Sequence, residues 1–78
     1  MTDRVLDLRG LKCPLPALRT RKALRAALPG DLLAVDCTDP LSRLDIPNLI
    51  RETGDVLEAV EDGGDVVTFR IRKAQLGG

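Results

Sequence analysis

The sequence has no histidine, tryptophan or tyrosine, and its 78 residues include one phenylalanine, Phe69, and two cysteines, Cys13 and Cys37. Without histidine, neither a Cys-His nor a Ser-His nucleophile pair can be assembled from this chain. Two cysteines alone are too few soft ligands for a structural zinc site, and no glycine-rich phosphate loop is present, so neither a metal nor a cofactor is expected. A lone aromatic offers no platform for stacking single-stranded bases. Twelve Lys and Arg balance twelve Asp and Glu, which leaves none of the basic surplus that nucleic-acid binders carry. No apolar run is long enough to span a membrane. Met1-Thr2-Asp3-Arg4 leads directly into a strand-like segment without the features of a signal peptide. Two cysteines without an export signal point to a reducing, cytoplasmic compartment. Cys13 and Cys37 are also too far apart to form a Cys-x-x-Cys redox motif.

What is present reads as one small domain over residues 1–78. Chains of this size bury only a little over roughly half of their unfolded surface, so the core must be thin. Arg4 to Leu8 has strand character, with Leu6 and Leu8 on one face and Asp7 on the other. Gly10 loosens the loop that follows. From Pro14 to Leu28 the period becomes helical: Ala17, Thr20, Leu24, Ala27 and Leu28 form a stripe, and Pro29-Gly30 ends it. Asp31 to Cys37 is a second strand, with Leu33, Val35 and Cys37 sharing a face. Pro40 to Thr53 is helical in character, although Pro47 is expected to interrupt or restart it, with Asp45 capping the second part and Gly54 closing it. Asp55 to Glu61 and Val66 to Arg72 are strands joined by the hairpin signal Asp62-Gly63-Gly64-Asp65, with Val67, Phe69 and Ile71 facing the core. The order is βαβαββ. Two helices suit one sheet covered on one face, and a right-handed crossover makes the first two strands parallel.

Chemistry concentrates at Cys13-Pro14-Leu15-Pro16. A residue before proline is pushed towards extended geometry, so Cys13 is expected at the N-cap with Pro14 at the first helical position. The Leu15 and Ala17 amides can then point towards an anion at the helix mouth. A helix N-terminus favours a thiolate. Lys12, and Arg9 with it, add positive charge, so the thiol pKa is expected to be depressed. Such a thiolate can attack a sulfane sulfur and hold it as a persulfide.

With these residues the chain resembles the TusA/SirA-like family of sulfur carrier proteins. The resemblance rests on Leu6 through Pro16, with Cys-Pro-x-Pro at its centre, and on Arg21-Lys22, Pro29-Gly30, Asp39-Pro40, Asp45-Ile46-Pro47 and Ile71-Arg72-Lys73. It implies an α/β (α+β) two-layer sandwich with a four-stranded mixed sheet and both helices on one face. It also implies a sulfurtransferase-type carrier, in which Cys13 accepts sulfur from a cysteine desulfurase or rhodanese-like donor and passes it to an acceptor protein. Pathways served in the family include tRNA thiolation, molybdenum-cofactor enzymes and sulfur oxidation. Leu15 stands where tRNA-thiolation members carry Glu, which loosens the pathway assignment.

Other residues carry paired readings. Cys37 fills a core position beside Leu33 and Val35, as free cysteine commonly does, or acts as a second thiol that resolves a persulfide on Cys13 or forms a regulatory disulfide with it. Arg19, Arg21, Lys22 and Arg25 are a solvated helix face or a docking surface for acidic partners. Asp36, Asp39 and Asp45 read as turn and cap residues. Two alternatives stand beside the sulfur carrier: a non-enzymatic regulatory or adaptor module, and a thiol redox protein using Cys13 and Cys37.

Overall fold

The structure is a computed structural model that describes residues 3–74; Met1, Thr2 and residues 75–78 lie outside it, and with them the two ends of the expected domain. The elements are β1 (Asp3–Leu8), α1 (Leu15–Ala26), β2 (Leu32–Cys37), α2 (Ser42–Thr53), β3 (Val56–Asp62) and β4 (Val67–Arg72). They form one mixed sheet of order β1-β2-β4-β3. β1 and β2 pair in parallel, with Leu6 opposite Val35 and Leu8 opposite Cys37. β4 pairs antiparallel with both β2 and β3. The βαβαββ order and the mixed four-stranded sheet are as expected from the sequence.

Alternation along the strands decides which side the helices cover. Leu33, Val35 and Cys37 on β2 and Val67, Phe69 and Ile71 on β4 are buried, and they join Leu8, Leu24, Ile46 and Ile50 in one core. The opposite face carries Asp36, whose Oδ1 accepts a 2.6 Å hydrogen bond from Thr68 Oγ1. It also carries Arg70 beside Glu61 and Arg72 beside Glu58. Ion pairs of this kind hold water readily, so this face needs no cover. Glu58 sits at a register shift between Leu57 and Ala59, a bulge that turns its carboxylate to Arg72.

Two helix readings change. α1 stops at Ala26, so Leu28 lies beyond the helix and is exposed rather than part of the apolar stripe. α2 runs unbroken from Ser42 to Thr53 with Pro47 inside it. An internal proline costs about 3 kcal/mol, but Ile46, Leu49 and Ile50 are all buried by the same helix, at about 1.5–3 kcal/mol each. Burial therefore outweighs the break. Gly54 ends α2 as expected, with φ 81° and its amide on the Ile50 carbonyl, a left-handed cap that glycine adopts without strain.

Thr20 is completely buried in α1, and its hydroxyl has no hydrogen-bond partner among the described residues. An unpaired buried hydroxyl is destabilising, and a methyl of the same shape removes that penalty. Thr20→Val is expected to stabilise the domain by about 1 kcal/mol, read as a higher urea midpoint at constant slope.

Candidate functional site

Because β1 and β2 run in the same direction and each feeds a helix, both helices start at the end of the sheet where these strands finish. Cys13 lies in the β1–α1 loop at that end, with its side chain exposed. Two side chains of the β2–α2 loop hold this loop in place. Thr38 Oγ1 accepts the Gly10 amide at 2.8 Å, and Asp39 Oδ2 accepts the Cys13 amide at 2.6 Å. Gly10, at φ 84°, makes the turn that such clamping requires. Asp39 Oδ1 also accepts the Leu41 amide at 3.2 Å, so one carboxylate joins the cysteine loop to the start of α2. Asp39→Ala removes both acceptors and is expected to cost about 1–2 kcal/mol. Faster hydrogen exchange at the Cys13 amide would mark the loosened loop.

The helix start differs from expectation by one residue. Pro14 is the N-cap and Pro16 lies in the first turn. The Cys13–Pro14 peptide bond is cis. The Leu15 amide is not available at the helix mouth, because it donates to the Lys12 carbonyl at 2.9 Å. The first helical bond runs from the Leu18 amide to the Pro14 carbonyl.

The electrostatics of the thiol reverse the sequence expectation. Cys13 Sγ donates to Asp45 Oδ2 across 2.9 Å. That hydrogen bond, followed by desolvation and the charges of Asp45 and Asp39, raises the Cys13 pKa instead of depressing it. A helix N-terminus is worth about half an elementary charge, whereas Asp45 places a full negative charge in contact with the sulfur, so the carboxylate wins. The supporting cation Arg9 is engaged elsewhere. Its Nε and Nη2 hold both oxygens of Asp7 at 2.8 and 3.0 Å, which lowers the Asp7 pKa to about 2. Asp7 points opposite to Leu6 and Leu8, so this pair lies off the helix-covered side. Lys12 is exposed next to Cys13, with no ion pair among the described residues. Asp45, expected to cap a helix restarting at Pro47, lies in the first turn of α2 and faces the thiol.

A cleft of about 350 Å³ opens from Cys13 between the two helices, lined by Ala17, Leu18 and Arg21 from α1 and by Asp45, Asn48, Leu49 and Glu52 from α2. Of the four cations predicted as a docking face, only Arg21 borders it, and its Nη2 is 3.0 Å from Glu52 Oε2. Arg19 and Lys22 instead line a separate groove of about 310 Å³ with Arg4 and Val5 of β1. Arg25 is in the last turn of α1, far from the cysteine. Cys37 has no exposed surface and packs within the core; burial pushes its pKa up. The sequence reading missed the exposed leucines at this end of the molecule: Leu15 and Leu18 on α1, Leu41 and Leu44 at the start of α2. Leucines lying off the buried stripe were the available signal. Among the described residues no group of three or more His, Cys, Asp or Glu could hold a metal ion, and no helix is long and apolar enough to cross a membrane.

One exposed thiol at the helix-starting end of an open-faced βαβαββ sandwich, paired with a carboxylate, defines a small thiol-bearing α/β domain. The chain belongs to the TusA family: residues 4–73 match the profile described as "Sulfurtransferase TusA". The sulfur carrier protein TusA of Allochromatium vinosum is 44% identical over 73 residues, covering 92% of this chain and 95% of the relative. The sulfur carrier protein TusA of Pseudomonas aeruginosa is 37% identical over 73 residues, with 92% of each chain covered. Among solved structures, the SirA-like protein from Desulfitobacterium hafniense superposes with a TM-score of 0.78 at 25% identity, over 92% of this chain and 99% of that one.

Proposed function

We propose that this protein carries sulfane sulfur as a persulfide on Cys13, taking it from a donor protein and handing it to an acceptor. The observation that carries the reading is the single exposed thiol, held by Asp39 at the mouth of an interhelical cleft, in a chain of the TusA family. In the loading step the Cys13 sulfur gives up its proton and attacks the outer sulfur of a donor persulfide. The new S–S bond forms as the donor's S–S bond breaks. The electron pair leaves on the donor's inner sulfur, which takes up a proton. The transferred sulfur keeps its oxidation state, so no external oxidant or reductant is required. Delivery repeats the step with Cys13 as the leaving sulfur.

Donor and acceptor each have to dock at Cys13, and the exposed Leu15, Leu18, Leu41 and Leu44 provide an apolar surface at that end for both. A cysteine desulfurase or a rhodanese-like protein fits the donor role. The test is incubation with a cysteine desulfurase and cysteine, followed by mass spectrometry of the intact chain and its peptides. Gain of one sulfur atom on the Cys13 peptide is expected. Sulfur found on another peptide, or none at all, overturns the proposal.

A further inference from the structure

The charges around the thiol do not match a nucleophile that is active on its own. Asp45 from α2 holds the thiol proton at 2.9 Å. Asp39 from the β2–α2 loop lies one bond away, on the Cys13 amide. Deeper in the cleft, Glu52 of α2 uses Arg21 of α1. The remaining cation near Cys13 is Lys12, which precedes it in the chain. Two carboxylates therefore face the cysteine, and the guanidinium that lines the same cleft is already committed to a third.

We propose that Asp45 keeps Cys13 as a latent, protonated thiol and that a partner protein activates it by presenting a cationic side chain to Asp45 and Asp39. The partner half of this inference rests on the carrier function above; the latency half does not. The raised pKa of Cys13, with the Asp45 hydrogen bond as its largest cause, accords with the geometry. A Lys or Arg reaching Asp45 competes for the carboxylate, releases the S–H bond and offsets the charge that opposes the thiolate. The complementary partner surface is then apolar with a basic centre, opposite to the acidic partner that the α1 cations suggested. A resting carrier is thereby protected from casual alkylation and oxidation, and its reactivity is confined to the docked complex.

Asp45 acts here as a positioning residue, and its test reads the sulfur rather than the fold. Alkylation of native protein by iodoacetamide is followed against pH, for wild type and Asp45→Asn. The variant is expected to move the midpoint to lower pH and to react about tenfold faster at neutral pH, which corresponds to one pKa unit. A second measurement uses wild type alone. A cationic aminoethyl methanethiosulfonate should label Cys13 several-fold faster than the anionic sulfonatoethyl reagent, relative to the same ratio on a free cysteine peptide. Asp45→Asn should reduce that preference. An unmoved midpoint, or no preference for the cationic reagent, overturns the proposal. Persulfide loading by a desulfurase separates the two readings: normal loading with an unmoved midpoint defeats latency alone, and a latent thiol that never loads defeats the carrier function alone.

Discussion

Replacing Cys13 by serine is expected to reduce sulfur loading to background while leaving the melting midpoint unchanged. The side chain is exposed, so no packing is lost, and a serine hydroxyl can still donate to Asp45. The oxygen is a poor nucleophile towards sulfane sulfur and cannot form the S–S bond that holds the cargo. Cys37→Ser is the matched control. Cys37 is fully buried among Leu33, Val35 and Val67, so its loss should appear in stability and leave loading per folded molecule intact. Mass spectrometry after desulfurase treatment, with thermal melts of both variants, checks the pair. If Cys37→Ser alone abolished loading, the core assignment of that thiol would fail.

The largest expected effect on stability is Phe69→Ala. Phe69 is the only aromatic residue in the sequence. It has no exposed surface and sits at the centre of β4, opposite Val35 on β2 and Val60 on β3. Removing a buried phenylalanine side chain costs about 3–5 kcal/mol, the lost transfer energy plus the cavity it leaves. A domain of this size has a total stability of about 4–12 kcal/mol at typical values per residue. The variant should therefore be close to unfolding at room temperature, seen as a collapsed urea midpoint. Phe69→Leu, which refills most of the volume, should recover much of the loss. A Phe69→Ala loss below about 1 kcal/mol would show that the core collapses around the gap.

Periodicity and breaker residues carried most of the fold. The alternation Leu33-Val35-Cys37 and Val67-Phe69-Ile71, Gly54 after α2, and the Gly63-Gly64 hairpin each have a local physical cause, and each appears as read. Pro47 was misread because a local rule competes with tertiary burial of Ile46, Leu49 and Ile50, which no local window contains. Cys13 was legible as the thiol at a helix start. Its chemistry was not, because Asp39 and Asp45 reach it from 26 and 32 residues away, and charge contacts at that range leave no periodic trace. Reading the neighbours Lys12 and Arg9 as its electrostatic environment gave the wrong sign. Asp7, two residues before Arg9, was the nearer clue: it takes that cation's charge.

The contrast between an accessible Cys13 and a sealed Cys37 also sets the valence of the molecule. The native chain should titrate one thiol and the denatured chain two, so the ratio of these counts reports directly on how much of a preparation is folded. On the proposed carrier function each chain then has a single coupling point for one sulfur atom, and any disulfide that the folded protein forms through it must be intermolecular.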